Sequence, residues 1–536
     1  MRLGSQQPKG HDVQTSQVKG CKDKTRRKSF DDLCLKAARP SQSEGQFRPL
    51  ACCGLALAVV VILCLVSGCT NSTPAPTPTQ DNVQRSAPLR VLIVDDPGLV
   101  EAVQREWAAR AEGEIDVQQM SSEELVDPRR TRLSADVVIY PSGLMGELAE
   151  RDLIAPVSRD VFNGPEFGRR DIFDLIQLRE IIWGEQVYAV PLGSPPLTLV
   201  YNAGLFDELG LQPPQTWEDY AALCSEVSTV NDTPEDDSAS EAVVQPVAEP
   251  LGPGWAGQVL LARAAGYARH RSYFAVLFDL DTMQPLIDSP PFVRALDELV
   301  LAAKQGSSDA LTYSPADVRR LLVGGRCAMG LTWPSNAEAE ANRGDQLRTD
   351  AATVSLRTAE LPGARQVFYM GDQQWQDRKS SESGRVTLLS VSGRLGSVTK
   401  AARREREALD MLLRLSSAEW SPYISPYSPA TTLYRTSQLD RAVAWVGSDL
   451  DADATREYAD QTKEALRRSL SINSVRLPGR KRYLDALDEA VHTAIRGDQS
   501  SEAALQEAAT RWQEITEELG GERQKSAYWR SLGMEL

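Results

Sequence analysis

The chain has 536 residues, of which 42% are hydrophobic and 25% charged, and its formal net charge is -15. The chain is longer than domains with a single hydrophobic core usually are, so two or three folded units are expected. The charge is uneven, with 11 Lys and Arg against 5 Asp and Glu in residues 1–50, and 48 against 69 from residue 69 onward. A body this acidic lacks the basic footprint of a nucleic-acid-binding protein, so no nucleic-acid partner is expected.

The start of the chain has the features of an export signal. Residues 49–68 form an uncharged apolar stretch after a basic leader. The sequence LVSGC at 65–69 resembles the bacterial lipobox, and this implies cleavage before Cys69 and attachment of a diacylglyceryl group to its thiol. Residues 1–68 are therefore interpreted as basic leader and lipoprotein signal peptide. An uncleaved membrane anchor is the alternative, since 20 apolar residues can span a bilayer. Both interpretations place the rest of the chain outside the cytoplasm.

Residues 69–88, rich in Thr, Pro, Ser and Asn, predict an extended tether between a lipid anchor and the folded body. Beyond Cys69 only Cys224 and Cys327 remain. In an oxidising compartment they could form a disulfide, or they could be two separate buried thiols.

The stretch RVLIVDDPG at 90–98 opens the folded body. It predicts a strand followed by the adjacent carboxylates of Asp95 and Asp96. Paired acids after a first strand are typical of receiver domains, which also need a phosphoacceptor aspartate at the end of a later strand. The corresponding strand, ADVVIY, ends in Tyr140 and Pro141 instead, so the receiver interpretation is set aside.

Short apolar runs alternate with helical patterns along the rest of the body, which indicates an α/β fold. Strands are predicted at 89–94, 115–120, 135–140, 186–193, 197–202, 326–333 and 385–393. Helices are predicted at 98–111, 144–153, 216–228, 292–305, 314–325, 400–417 and 502–519. Motif-level signals of enzymes are absent: the sequence has no H-E-x-x-H, G-x-S-x-G or P-loop pattern.

Four segments, in this order, resemble the extracellular solute-binding proteins of ABC importers, in particular the sugar-binding group. They lie at 134–157, 185–220, 321–336 and 477–515. The segment EQVYAVPLGSPPLTLVYNAGLFDELGLQPPQTWEDY is similar to the family's crossing between lobes, and LLVGGRCAMGLTWPSN to its strand ending in Pro-Trp. The chain departs from the pattern in having Ala203 where Lys is usual and Trp333-Pro334 in inverted order.

The resemblance implies a two-lobed periplasmic-binding-protein fold of type II, with an interlobe cleft and hinge crossings. We expect residues 89–200 with about 385–440 in lobe 1, and about 201–384 with 441–536 in lobe 2. It further implies a monomeric binding protein without enzymatic activity, cofactor or metal. Its expected partners are a small solute, most consistent with a mono- or oligosaccharide, and the permease subunits of an ABC transporter.

Ligands of open α/β sheets meet loops at the carboxyl ends of strands, and sugars combine an apolar face with polar edges. The candidate ligand-binding residues on these grounds are Asp95, Asp96, Tyr140, Ser142, Ser194, Pro195, Trp255, Trp333 and Tyr483. Structural roles compete with ligand contact here, because a Trp at a strand end is often core packing and the two aspartates precede Pro97 in a turn. An exported glycosidase with two carboxylates and a transport-independent sensor are the alternative functions.

Overall fold

Two sheets organise the folded body, which a computed structural model describes over residues 87–231, 244–336, 354–379 and 382–535. The chain divides into two units, residues 1–82 and 83–536, and every described residue belongs to the second. The apolar stretch at 49–68, Cys69 and most of the predicted tether lie outside the described residues. No helix among the described residues has the length and apolar character needed to cross a membrane.

The strands keep the short lengths that the apolar runs predict. They are β1 Leu89–Val94, β2 Ile115–Met120, β3 Val137–Pro141, β4 Ile182–Trp183, β5 Gln186–Val187, β6 Val190–Gly193, β7 Thr198–Asn202, β8 Gln245–Ala248, β9 Cys327–Thr332, β10 Leu356–Glu360, β11 Gln366–Tyr369, β12 Gln374–Asp377, β13 Thr387–Leu389, β14 Arg394–Val398 and β15 Ser471–Asn473.

The α-helices follow the predicted patterns closely in the second half of the chain. They are α1 Pro97–Arg110, α2 Ser122–Val126, α3 Met145–Glu150, α4 Arg159–Asn163, α5 Ala203–Leu209, α6 Trp217–Asn231, α7 Ala256–Ala268, α8 Pro290–Ala303, α9 Pro315–Val323, α10 Glu405–Ser416, α11 Val443–Val446, α12 Ala452–Arg467, α13 Arg480–Arg496, α14 Ser501–Leu519 and α15 Gly521–Ser531.

The first sheet has the strand order β2-β1-β3-β14-β6. Strands β2, β1 and β3 are parallel, and β14 is antiparallel to both β3 and β6. The strands β1, β3 and β14 are almost entirely buried, as expected for central strands that helices cover on both faces, and the edge strand β6 is buried as well.

The second sheet has the order β10-β7-β9-β8, in which only β8 and β9 are parallel. Helix α9 packs on β9, and α12 packs on β10. The chain leaves the first sheet at Gly193 and enters the second at Thr198, so the change of sheet occurs within residues 194–197. The two sheets and their helices form the two-lobed α/β fold that the sequence predicted.

One predicted strand is interrupted. The segment 385–393 was expected to be a single strand, but β13 ends at Leu389 because Ser390 adopts a positive φ of 60°. A non-glycine residue rarely adopts this conformation. The chain turns there and continues as β14, which is a strand that the sequence did not predict.

Candidate functional site

The carboxyl end of β1 carries the two aspartates. Asp95 has a positive φ of 51° and an exposed side chain, whose carboxylate accepts hydrogen bonds from the Ser122 backbone N–H, at 3.1 Å, and from the Ser122 hydroxyl. Asp96 is the N-cap of α1, because its Oδ1 accepts from the Leu99 N–H at 3.1 Å, one residue position before the Pro97 that opens the helix.

Asp96 is 1% exposed and its second oxygen is also occupied. Oδ2 accepts from the Arg394 guanidinium on β14, at 2.7 Å, and from the Ser428 hydroxyl. The assignment of Asp96 to the ligand site stays a prediction. In this conformation its hydrogen-bonding capacity is used to start α1 and to hold β14.

The two predicted tyrosines lie in the core. The Tyr140 hydroxyl lies 2.9 Å from Ser397 Oγ, and burial raises its pKa. Tyr483 packs edge-on against Trp512, its hydroxyl lies 3.0 Å from Thr516 Oγ1, and burial raises its pKa to about 12. Both side chains are fully buried in this conformation, and their assignment to the ligand site stays a prediction.

The structure brings Ser142 and Ser194 together, as the sequence-based prediction requires. The Ser142 hydroxyl donates to the backbone carbonyl of Ser392 at 2.9 Å, and Ser194 Oγ lies 3.2 Å from the same carbonyl oxygen. Gly393 makes this approach possible, because a Cβ at this position would lie 2.9 Å from Ser194 Oγ and 3.1 Å from Ser142 Oγ, and its φ is +128°. Pro195 is buried beside Ser194 where the chain passes to the second sheet.

Glu180 lies at the centre of this serine cluster and was not predicted. It ends a π-helical turn, Ile176–Glu180, a type of turn that is frequent at functional sites. Its Oε1 accepts from Ser194 Oγ at 2.5 Å and from the Ser390 backbone N–H at 3.3 Å. Its Oε2 is buried and has no hydrogen-bond partner among the described residues. Burial raises the pKa of Glu180.

Arg480, the first residue of α13, covers the serine cluster from the other side. Its guanidinium lies directly against Gly143, whose missing side chain leaves the room for it, and it donates to the Ser390 carbonyl at 3.4 Å. Burial lowers its pKa to about 10, so the group stays charged at neutral pH. Arg480 Nε and Ser390 Oγ are both buried and unpartnered among the described residues.

A pair of tryptophans forms the apolar part of the site. The rings of Trp255 and Trp333 have centroids 5.8 Å apart with an interplanar angle of 48°. Trp333 follows β9, is 2% exposed, and donates from Nε1 to the Pro429 carbonyl at 2.9 Å. Trp255 is only partly buried and precedes α7. The two rings are neighbours and Trp255 is the more accessible one, while their role as an aromatic platform for a ligand stays a prediction.

Asp488 connects the tryptophans with the charged cluster. Its carboxylate accepts from the backbone N–H groups of Gly254, at 2.5 Å, and Gly257, at 2.7 Å, and thereby fixes the turn that carries Trp255. The same carboxylate is close enough to Arg480 to raise its pKa against the larger effect of burial. Residues from the end of β3, the π-helical turn, the β13–β14 loop and α13 thus converge on one buried region, and Asp488 of α13 also holds the turn before α7.

This region offers a carboxylate acceptor, hydroxyls, a guanidinium and an indole face, which suits a neutral polyhydroxylated molecule. It offers no metal site, because the described residues contain no group of three His, Cys, Asp or Glu side chains suited to hold an ion. The region is closed in this conformation. A larger cavity, of about 360 Å³, lies elsewhere, at His270, Arg378 and Arg468, and none of the nine predicted residues lines it.

Glu180 and Arg480 left a weak signal in the sequence. Glu180 lies between the apolar runs LIQL and IIW, and an acidic residue in such a stretch is expected to be buried with a hydrogen-bond partner. Arg480 belongs to the segment LPGRKRY. The resemblance of this segment to the family predicted Tyr483, three residues later, as the ligand contact. Only the fold shows that Arg480 faces the cleft side of α13 and Tyr483 its core side.

The chain belongs to the bacterial extracellular solute-binding proteins, since the model of that family matches residues 94–356. Proteins of this family are the solute-binding components of ABC importers. They bind solutes and are not enzymes. No curated protein matched the sequence significantly.

Solved structures share the fold at low sequence identity. The maltose-bound MalE3 of T. maritima is 14% identical with a TM-score of 0.58, and the alignment covers 80% of this chain and 100% of that one. An ABC transporter solute-binding protein from Agrobacterium radiobacter K84 in complex with ribitol is 17% identical with a TM-score of 0.56, covering 80% and 98%. Another from Thermotoga lettingae TMO, bound with α-D-tagatose, is 16% identical with a TM-score of 0.58, covering 80% and 100%.

Proposed function

We propose that this solute-binding protein captures a carbohydrate or polyol between its two lobes and delivers it to the permease subunits of an ABC transporter. The three solved structures with this fold are described as bound to maltose, ribitol and α-D-tagatose, which share a dense array of hydroxyl groups. Hydroxyl groups need both donors and acceptors, and the region around Glu180 supplies both.

One observation carries the proposal. Glu180 Oε2, Arg480 Nε and Ser390 Oγ are buried polar atoms without a hydrogen-bond partner among the described residues. Buried polar groups in native proteins are nearly always satisfied, by protein, water or ligand. An acceptor and two donors in one buried region match the edge of a sugar ring, and Trp255, whose turn is held by Asp488, would match its apolar face.

The proposed site combines predicted residues with those that the fold adds. It consists of Ser142, Ser194, Pro195, Trp255 and Trp333 together with Glu180, Ser390 and Arg480. Asp95 and Asp96 lie at its rim, and Tyr140 and Tyr483 support it from the core. Lobe opening would be required for entry, because Trp333, Ser142 and Ser194 are buried in this conformation.

We further propose that the mature protein begins at the lipid-modified Cys69 and is held on the outer face of a bacterial membrane. Residues 69–88 would form the tether, and residues 89–200 with about 385–440 would form the core of lobe 1, with the boundary to lobe 2 in the crossing at 194–197. The protein would act as a monomer with one solute.

A thermal-shift screen tests the proposal. The mature protein is titrated with mono- and oligosaccharides and with polyols, including maltose, ribitol and tagatose, beside amino acids and polyamines as controls. At least one polyhydroxylated compound is expected to raise Tm saturably without being consumed. The free energy of unfolding should then increase by RT ln(1 + [L]/Kd), where [L] is the concentration of free ligand. An unchanged Tm across all saccharides and polyols contradicts the carbohydrate assignment, and turnover of a glycoside would favour an exported enzyme.

A further inference from the structure

Three arginine side chains meet at a cavity that is separate from the proposed sugar site. The cavity has a volume of about 40 Å³ and is lined by β15, the residues that follow it and α15. Its charged lining consists of Arg179, Arg269 and Arg476, and no Asp or Glu is present among the described residues that line it. A cluster of positively charged side chains without an acidic neighbour is unexpected in a chain whose net charge is -15.

The three guanidinium groups are held by backbone carbonyls. Arg179 donates to the Leu532 carbonyl at 3.0 Å, Arg269 to the Tyr273 carbonyl at 3.1 Å, and Arg476 to the Arg179 carbonyl at 2.6 Å. Within the described parts of the chain, none of the three forms an ion pair with a carboxylate. Carbonyl dipoles orient the side chains, but they do not cancel the net charge.

Two of the arginines are deeply buried, with Arg269 8% exposed and Arg476 1% exposed. The Nε atoms of both are buried and lack a hydrogen-bond partner among the described residues. These unpartnered donors belong to side chains that line the cavity. A buried donor without a partner costs free energy that a bound acceptor recovers.

The positive charges persist at neutral pH. Burial, together with the smaller effects of the neighbouring charges of Arg179 and Arg378, lowers the pKa of Arg269 to about 10. Burial likewise lowers the pKa of Arg476 to about 10, against an opposing effect of Glu180. Both values lie above neutral pH, so both groups stay protonated. Buried charges of this kind are normally paired with a counter-charge.

We propose that this cavity binds a small inorganic anion of halide size between Arg179, Arg269 and Arg476. A volume of about 40 Å³ holds only two or three water-sized groups, so it excludes a sugar or an organic phosphate. The anion supplies the acceptor for the two Nε donors and the missing negative charge. It is a second ligand of the protein and does not compete with the sugar.

Bromide is the probe that tests this site. The mature protein is transferred to sodium gluconate, whose anion is too large to enter, and bromide replaces gluconate at constant ionic strength so that screening stays equal. The expected result is a saturable rise in Tm of about 2–4 °C. Crystals grown with bromide should show an anomalous peak between the Nε atoms of Arg269 and Arg476.

Matched variants separate the site from general salt effects. Arg269→Gln should raise the half-saturating bromide concentration at least tenfold. Arg271→Gln removes a neighbouring charge that does not line this cavity and pairs with Glu382 at the surface, so it should leave the response unchanged. Arg179→Gln serves where Arg269→Gln does not fold. Equal Tm in bromide and gluconate, absence of the anomalous peak, or an equal loss in Arg271→Gln overturns the proposal.

Discussion

The hydroxyl of Ser194 donates a 2.5 Å hydrogen bond to the carboxylate of Glu180, and both side chains are buried. Ser194 belongs to the crossing between the two sheets, whereas Glu180 belongs to the π-helical turn before β4. The bond therefore fixes the crossing to lobe 1 next to the proposed ligand. It leaves Glu180 Oε2 as an unshared acceptor.

The first prediction concerns the pH dependence of stability through Glu180. Burial raises its folded-state pKa above the usual 4.5. The folded state then binds the proton more tightly than the unfolded state, so the stabilisation present below about pH 4.5 is lost as pH rises through the folded-state pKa. Glu180→Gln removes this titration. The free energy of unfolding of the variant minus that of the wild type should become more positive as pH rises from 4.5 to 8.

Urea denaturation at each pH, without sugar, measures this difference. Its slope should approach about 1.4 kcal/mol for each pH unit between the unfolded- and folded-state pKa values. Asp488, whose pKa burial also raises, is present in both proteins and cancels. A difference that does not change with pH contradicts an ionisable, strained Glu180.

The second prediction concerns the aromatic platform. Trp255→Ala should weaken binding of the best sugar by about tenfold or more, near 1.4 kcal/mol, because the ring stacks on the apolar face of the sugar. Trp255 is preferable to Trp333, which is 2% exposed and whose removal would cost about 3–5 kcal/mol of stability. Isothermal titration calorimetry measures the affinity.

Trp529→Ala is the matched control for this experiment. Trp529 is also partly buried and donates to a carbonyl, that of Leu280 at 3.1 Å, but it lies in α15 outside the proposed sugar site. Its replacement should leave affinity unchanged. Equal affinities of the Trp255→Ala variant and the wild type would remove Trp255 from the site.

The third prediction concerns the buried ion pair at the end of β1. Asp96→Ala should lower the free energy of unfolding by about 3–5 kcal/mol, because it leaves Arg394 buried without its counter-charge. Loss of the α1 N-cap adds about 1 kcal/mol. Chemical denaturation measures the change.

Asp127→Ala provides the comparison. Asp127 also pairs with an arginine at 2.7 Å, but that partner, Arg129, is 90% exposed. Exposed pairs contribute little, so this variant should unfold at nearly the wild-type denaturant concentration. If both variants lose the same stability, Asp96 is not the structural anchor described above.

The fourth prediction concerns the proposed lipid anchor. Cys69→Ser should release the protein from the membrane fraction, because the modified thiol is removed. Detergent phase partitioning and incorporation of labelled fatty acid measure anchoring. Cys64→Ser is the control, since Cys64 belongs to the segment expected to be cleaved. Retention of Cys69→Ser in the membrane would favour the uncleaved apolar stretch as the anchor.

The fifth prediction concerns the two cysteines of the folded body. Cys224 and Cys327 are free and buried, and burial raises the pKa of each thiol to about 12. The Cys69→Ser protein lacking residues 1–68 should therefore not react with a thiol reagent at neutral pH until it is unfolded, when two thiols react. Rapid reaction of the native protein would contradict their burial.

The regular part of the fold was predictable from local pattern. The run LRVLIV at 89–94, apolar except for Arg90, predicted β1 to the residue, because a strand buried on both faces requires a nearly continuous apolar run. The start of α6 was also predictable, since Thr216 precedes it and Asp219 completes the capping pattern, at 3.2 and 3.0 Å.

Strand β14 was not predictable, because its sequence RLGSV contains features that normally break a buried strand. Arg394 is tolerated there only through its ion pair with Asp96, and Gly396 only because Leu412 packs against it.

The contacts of the proposed site also depend on residues that are far apart in the sequence. Glu180 meets Ser390, 210 residues later in sequence, and no local pattern specifies that contact. Asp96 carried a local signal, since an acid directly before Pro97 suits an N-cap as well as a ligand contact.

The position of β14 has a consequence for the order in which the protein can be assembled during export. It lies between β3 and β6 and is hydrogen-bonded to both, yet it follows β6 by about 200 residues. Until Arg394–Val398 has left the membrane, β3 has an unpaired edge and β6 has no neighbour in the sheet. The first sheet is thus completed only after all four strands of the second sheet have been synthesised. A chain that stalls before residue 394 exposes that edge to other chains and to chaperones.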